Sequence, residues 1–273
     1  MGSTWQGKIV LVTGVGSGIG KALAELLASQ GASLVLTDVN EANLKQTAKS
    51  LGNSVLIAEK ADASSSEDWR RLAQLLKDGP GYLDALVNNA GMASFGYFDE
   101  TSEKLFNKVM DVNFTGITIG CREMLPLLER SERGLIVNLA SIFGLITIPM
   151  MTPYHASKFA VRGFTEALRQ DFKAKGVNVD VLCVMPGGIR TNIAAGAESD
   201  SGVQDAFAKH FETVALTTPE KAAKVIEKGM RKRSPRILIG PDATLVDWFG
   251  RLWPKSYSKI INPLFRTGKM TNP

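Results

Sequence analysis

Ile9-Val10-Leu11-Val12-Thr13 leads straight into Gly14-Val15-Gly16-Ser17-Gly18-Ile19-Gly20, and an amphipathic stretch, Ile19 to Ala28, follows without a linker. Five apolar or β-branched residues in a row read as a buried strand. Ile19, Ala22, Leu23, Leu26 and Leu27 share one helical face, and Gly31 stops the helix. Bare backbone N–H groups at a helix start attract phosphate, and glycines let a pyrophosphate approach without a Cβ in its way. The spacing is T-G-x-x-x-G-x-G rather than G-x-G-x-x-G, because Ile19 stands where the last glycine of the commoner fingerprint falls. A flexible turn is also glycine-rich; the strand before and the helix after make this one a dinucleotide-binding turn.

The alternation continues outward from there. Apolar runs recur at Leu34 to Thr37, Val55 to Ala58, Ala85 to Val87, Leu135 to Leu139, Val179 to Val184 and Ile237 to Ile239. Amphipathic stretches separate them, such as the stripe Trp69, Leu72, Leu75 and Leu76. Thr218, Pro219 and Glu220 supply an N-cap, a first-turn proline and a dipole-favoured acid before a helix to about Arg231. Strands apolar on both faces belong in a parallel sheet covered by helices on both sides. With right-handed crossovers this predicts an α/β fold, a doubly wound, seven-stranded parallel sheet of the Rossmann type. With no repeat or linker, residues 1–240 read as one domain and 241–273 as a short, helical, basic extension.

With 273 residues, 44% hydrophobic and 22% charged, the chain can bury a large core, which excludes disordered, collagen-like and mini-protein classes. Its net charge of +5 is unevenly spread. Residues 1–220 hold 20 basic and 24 acidic side chains, whereas 221–273 hold 12 and 3, so the basic character belongs to the tail. Cys121 and Cys183 each lie in an apolar run and read as small core residues, with no disulfide framework and no metal site. No apolar leader or membrane-spanning run is found, and the expected compartment is a reducing cytoplasm.

Asp38 closes the second predicted strand, 18 residues after Gly20. An acid there accepts hydrogen bonds from the adenosine ribose hydroxyls and repels a 2′-phosphate. Its alternative is capping of the helix that begins near Glu41. No Arg or Lys lies among Val15 to Ile19 or Val39 to Leu44. NAD(H) is therefore expected over NADP(H).

Further motifs follow in order: Asn88-Asn89-Ala90-Gly91, Asn113, Ser141, Tyr154-x-x-x-Lys158 and Pro186-Gly187-Gly188-Ile189-Arg190-Thr191. With the glycine turn, these make residues 7 to about 240 resemble the short-chain dehydrogenase/reductase family, in its compact branch. The residue chemistry agrees. Tyr154 and Lys158 are four apart in a stretch that reads as helical from Pro153 to Lys173, so they share a face. Bringing a phenol from pKa ≈ 10 to ~7 takes roughly 4 kcal/mol, a scale that an adjacent ammonium in a partly dry site supplies. The resemblance implies Tyr154 as general acid/base and Lys158 as its pKa-lowering partner and nicotinamide-ribose ligand. It implies Ser141 as the group that orients the substrate oxygen, and Asn113 as the holder of a proton-relay water. It also implies cofactor contacts from Gly14, Ser17, Gly18, Ile19, Gly20, Asp62, Ala63, Asn89, Ala90, Gly91, Tyr154, Lys158, Pro186, Gly187, Ile189 and Thr191. Asp62 is taken to end the third strand. His155, a helical neighbour of Tyr154, is expected to face away from the site, and with His210 reads as a surface or supporting residue.

The segment between Ser141 and Tyr154 carries no charge, and Phe143, Ile148 and Met151 are its candidate pocket residues. Core packing explains any one of them equally well. The family resemblance places a substrate lid at 192–217, with Phe207 and Phe211 as candidates to close it. The expected partner is a hydrophobic aldehyde, ketone or alcohol, in a homodimer or homotetramer such as the family forms. In the extension, Leu245, Trp248, Leu252, Trp253, Arg251, Lys255 and Lys259 make an apolar and basic segment. Packing on protein is favoured there over peripheral membrane contact through 241–265, and nucleic acid comes last. The resulting function is hydride transfer between a nicotinamide cofactor and a hydrophobic carbonyl or alcohol. A catalytically idle dinucleotide sensor with a protein- or nucleic-acid-binding tail is the alternative.

Overall fold

Strand β1 (Ile9–Thr13) is buried along its whole length because its side chains alternate between two helical layers. Val10 and Val12 pack into one core, Ile9 and Leu11 into the other. The computed structural model describes residues 5–191, 193, 196–202 and 215–259. After β1 come α1 (Gly18–Ser29), β2 (Ser33–Asp38), α2 (Glu41–Leu51), β3 (Val55–Lys60), α3 (Ser66–Asp78) and β4 (Ala85–Asn88). The second half holds α4 (Glu103–Met110), α5 (Gly116–Leu128), β5 (Gly134–Leu139), α6 (Thr152–Lys175) and β6 (Val179–Pro186). Helix α7 (Pro219–Arg231), β7 (Arg236–Ile239) and α8 (Pro241–Leu252) follow.

All seven strands are parallel, in the order β3-β2-β1-β4-β5-β6-β7. Helices α1, α2 and α7 cover one face through Leu23, Leu27, Leu44 and Ile226. Helices α3, α5 and α6 cover the other through Trp69, Leu72, Met124 and Phe172. The chain reverses direction of travel between β1 and β4, and the crevice at the carboxyl ends of these strands is where such folds bind ligands.

The expected burial of both faces holds for the central strands and fails at β3. This is the sheet edge, its residues alternate between half-covered and exposed, and Leu56 is 49% exposed. Val55 and Ile57 are only half-covered there, packing against the margins of the two cores. The end of α1 is as the glycine required: the helix stops at Ser29, and Gly31 takes φ +85°. Thr218 caps α7 through the Lys221 N–H, with Pro219 in the first turn. Asp62 lies two residues beyond the end of β3, in the loop to α3. Cys121 and Cys183 are free and buried, and burial pushes both thiols up to about 12.

Candidate active site

Helix α1 begins at Gly18 behind an extended Ser17 that makes no side-chain cap, and its first turn carries no acid. Helices α2, α3, α4 and α7 are each capped, by Asn40, Ser65, Ser102 and Thr218. Like α6 and α8, α1 thus starts without a side-chain cap among the described residues, which leaves its positive end open to a phosphate. Gly14 shapes the turn: its φ is +69°, and a Cβ there would lie 2.9 Å from Ala90 Cα. Gly20 does not line the cavity; a Cβ there would run into the Gly14 carbonyl, so this glycine closes helix against turn. Asn89 donates to the Thr13 and Gly14 carbonyls at 2.8 and 3.0 Å, tying β4 to the same turn.

Asp38 accepts the Gly16 N–H at 2.7 Å on one oxygen and the Asn40 N–H at 2.8 Å on the other. Each oxygen keeps a lone pair for a further donor. Helix α2 is capped by Asn40, so Asp38 is not its cap. Asp62 braces its own loop by accepting Ser64 N–H and Oγ–H at 2.9 and 2.7 Å, and with Ala63 it lines the same cavity.

The other end of the cavity is built by β5 and α6. Ser141 directly follows β5 and Ala140, and its Oγ accepts the Phe143 N–H at 3.1 Å at the start of a 3-10 turn. Tyr154 and Lys158 come from the first two turns of α6, and the Lys158 Nζ lies 5.6 Å from the centre of the Tyr154 ring. All three are buried. Lys158 Nζ donates to the Leu139 carbonyl at 3.0 Å. Burial pushes the Tyr154 phenol up to about 12, against a smaller downward pull from the Ser141 hydroxyl. Burial brings the Lys158 ammonium down to about 8. Burial therefore holds Tyr154 protonated at neutral pH, where the sequence pointed to a lowered phenol, and the Ser141 hydroxyl offsets it only in part.

Asn113 occupies a single π turn, Asp111–Thr115, between α4 and α5, and is fully buried. Its Oδ1 accepts the Met92 N–H at 2.8 Å, and Nδ2 donates to the Met92 carbonyl and to Ser157 Oγ at 2.9 and 3.0 Å. Both amide hydrogens are used, so the side chain braces the Gly91–Met92 backbone and does not line the cavity. Gly91 separates it from the reactive end: a Cβ there would lie 3.1 Å from Asn113 Oδ1 and 3.6 Å from Lys158 Nζ.

One cavity of about 620 Å³ joins the two ends. It is bordered by the expected Gly14, Ser17, Gly18, Ile19, Asp38, Asn89, Ala90, Gly91, Pro186, Gly187, Ile189 and Thr191, together with Ser141, Tyr154 and Lys158. Phe143 and Met151 form part of its apolar wall, with Phe95 and Ile193. Ile148 is buried among Ile146 and Met151 but does not reach the cavity. Phe207, His210 and Phe211 lie outside the described residues. At the rim, the backbone of Glu198 bridges Ala93–Phe95, and its side chain pairs with Lys108.

Sequence reasoning missed how His155 works. It is buried, its Nε2 accepts the Ile148 N–H at 3.0 Å, and its Nδ1 faces the Phe143 carbonyl at 3.1 Å. The bare Nε2 fixes the proton on Nδ1, which donates to Phe143. His155 therefore ties both ends of the pocket wall, and its ring meets Phe143 edge-on at 5.0 Å. The signal was present: an uncharged, proline-containing segment must find partners for its backbone, and the adjoining histidine is a polar side chain within reach.

A doubly wound sheet, an uncapped first helix and a buried Ser–Tyr–Lys cluster at one cavity define a nucleotide-dependent oxidoreductase of the short-chain type. The chain matches the short chain dehydrogenase family over residues 8–202, and it belongs to that family. It is 39% identical over 264 residues, 95% of each chain, to a Mycobacterium tuberculosis protein described as an oxidoreductase, SadH. It is 35% identical over 275 residues to 11-beta-hydroxysteroid dehydrogenase A of Sesamum indicum, covering 98% of this chain and 77% of that one. A crystal structure of a short-chain dehydrogenase/reductase from Burkholderia phymatum in complex with NAD superposes with a TM-score of 0.85. That protein shares 30% identity, and the match covers 99% of this chain and 98% of that one.

Proposed function

We propose that this protein is an NAD(H)-dependent oxidoreductase that interconverts a hydrophobic aldehyde or ketone and its alcohol. The observation that carries this is the single cavity with an unpartnered helix N-terminus and Asp38 at one end and Tyr154, Lys158 and Ser141 at the other. These residues fit a dinucleotide: N–H donors for the pyrophosphate, a carboxylate with open lone pairs for the ribose, and a buried ammonium toward the reactive end. The NAD bound to the Burkholderia phymatum relative supports the choice of cofactor. When bound, nicotinamide supplies or accepts the hydride.

The chain's own groups handle the oxygen and its proton. Tyr154, held protonated by burial, donates its hydroxyl proton to the carbonyl oxygen in reduction and takes the alcohol proton in the reverse direction. Ser141 hydrogen-bonds the same oxygen and stabilises the charge that develops there. Lys158, brought to about 8, stays charged in most of its population at neutral pH and stabilises the phenolate that Tyr154 leaves behind. Phe95, Phe143, Met151 and Ile193 line the cavity with apolar surface that excludes water and suits a hydrophobic substrate. The steroid dehydrogenase name of the sesame relative places alicyclic ketones and alcohols among the first to be tried.

The test is a panel of aliphatic, aromatic and alicyclic carbonyls with NADH and NADPH, followed by loss of nicotinamide absorbance. Tyr154→Phe is expected to lose turnover by at least about a thousandfold while NADH affinity changes less than about threefold. Binding of NADH without turnover on any substrate would favour an idle sensor instead.

A further inference from the structure

The loop Pro186–Thr191 lines the cavity just beyond β6, and its backbone is clamped from two sides. Arg190 N–H donates to the Thr217 carbonyl at 2.9 Å, and Thr217 N–H donates back to the Gly188 carbonyl at 3.2 Å. On the other side, Gly187 N–H donates to the Ile239 carbonyl at 2.9 Å, and Gly188 N–H donates to Asp242 Oδ2 at 2.7 Å. Ile189 N–H is left without a partner among the described residues. Asp242 belongs to the first turn of α8, in the extension beyond the sheet, and does not itself line the cavity.

Two glycines make room for this carboxylate. A Cβ at Gly187 would strike both Asp242 oxygens, and a Cβ at Gly240 would strike Oδ1. Gly240 also takes φ +97°, which turns the chain from β7 into α8 and brings Asp242 back over the loop. Asp242 Oδ1 is buried with no hydrogen-bond partner among the described residues. A carboxylate is costly to bury half-satisfied, and a glycine on each side is costly in chain entropy. A residue serving only to start α8 needs neither, since an exposed Ser, Thr or Asn caps a helix as well.

We infer that Asp242 is a positioning residue for the cofactor loop: it fixes the Gly188 amide so that Ile189 N–H and the Gly187–Gly188 backbone face the nicotinamide end of the cavity. This rests on the dinucleotide reading of the site. It gives the C-terminal extension a part in cofactor binding that its exposed basic and aromatic residues do not suggest.

The test compares the full-length wild type with Asp242→Ala, Asp242→Ser and Asp242→Asn. NADH affinity is measured by fluorescence titration, kcat on the best carbonyl of the panel, and Tm on each variant. Losing one charge-assisted hydrogen bond in a buried loop predicts about a tenfold or larger rise in NADH Kd for Asp242→Ala, with kcat lowered. Asp242→Ser is too short to hold Gly188 and behaves alike, which keeps the test open should Asp242→Ala fail to fold. Asp242→Asn still offers an oxygen to Gly188 N–H and stays within about threefold of wild type. A purely structural role would lower Tm in Asp242→Ala and Asp242→Ser with NADH Kd and kcat unchanged, and that result overturns the inference. A wild type that binds neither NADH nor NADPH overturns the dinucleotide reading itself and this inference with it.

Discussion

Replacing His155 with Phe keeps a ring of similar size against Phe143 and removes both hydrogen bonds that tie down the pocket wall. The Ile148 N–H and the Phe143 carbonyl lose the imidazole. Each buried group left unpaired costs about 1–3 kcal/mol. Thr147, next to Ile148, is exposed and bonds to the Tyr257 hydroxyl, so this stretch of the wall lies at the surface, where water can take the place of the imidazole. That argues for the lower half of the range, about 2–4 kcal/mol in all. At roughly 3 °C per kcal/mol for a chain of this size, Tm should fall by about 6–12 °C.

The loss should depend on pH. Burial lowers the His155 pKa below its ordinary 6.5, and the Phe143 carbonyl offsets this only in part. A second proton, on Nε2, would also face the Ile148 N–H, donor against donor. In acid the unfolded chain binds that proton more readily than the folded one. The stability conferred by neutral His155 is therefore fully present above about pH 6.5 and declines as pH falls toward the folded pKa, by at most about 1.4 kcal/mol per pH unit. Thermal melts followed by circular dichroism from pH 8 to pH 5 should show wild type and His155→Phe converging in acid. Steady-state kinetics above pH 7 should show a raised KM for bulky carbonyls with NADH affinity little changed. A Tm within about 2 °C of wild type at pH 8, or a gap that does not narrow in acid, would refute the assignment of His155 as the tie of the wall.

Three other substitutions probe the cavity. Asp38→Ala removes the carboxylate that borders the ribose end and frees the Gly16 N–H, so NADH Kd should rise about tenfold or more while NADPH binding changes less; the NADH to NADPH affinity ratio, by fluorescence titration, checks this. Gly20→Ala places a Cβ on the Gly14 carbonyl and should abolish measurable NADH binding as well as lower Tm; full binding would show that turn and helix can separate. Ser141→Ala should lower kcat/KM for carbonyl reduction by about 10²–10³ with NADH Kd unchanged, the cost of losing one donor to a developing oxyanion; a loss under about fivefold would remove Ser141 from that role.

What could be read from the sequence was whatever repeats with a period or follows a fixed local geometry. β1 and the glycine turn were legible because a buried strand, a tight turn and a helix face each constrain consecutive residues. The wound sheet followed for the same reason. β3 was misjudged as a fully buried strand because its composition matches that of its neighbours, and only the strand order puts it at an edge. Tyr154 and Lys158 were legible as a helical pair, yet the direction of the tyrosine's pKa was not, since desolvation depends on what closes over the ring from Phe143 and the 142–151 wall. Asn113 illustrates the same limit: its residue type is legible, but its side-chain partners Met92 and Ser157 come from distant segments that the sequence does not place beside it. Asp242 was invisible, because nothing in Gly240-Pro241-Asp242 indicates that the turn doubles back over residues 187–188.

The basic side chains of the last 53 residues are in part engaged inside the fold. Residues 221–273 hold 12 basic and 3 acidic side chains, and packing on protein is the favoured reading of the segment from 241 onward. Several of the basic ones have an anionic partner within the fold: Arg236 bridges Glu166 and Asp247, Arg251 pairs with Asp247, Arg233 with Asp180, and Arg231 with Glu227. Exposed pairs of this kind contribute little stability one at a time, but Arg236 is largely covered and holds α6, β7 and α8 together through two carboxylates. On the same helix, Ala243 and Val246 pack against the cluster that contains Phe143, Met151 and Tyr154, and Gly250 faces Leu145 and Ile146. Asp242 adds the link to the cofactor loop. The inner side of α8 therefore buttresses the site from behind, and Arg236 of β7 fastens that buttress to the sheet through the carboxylate of Asp247.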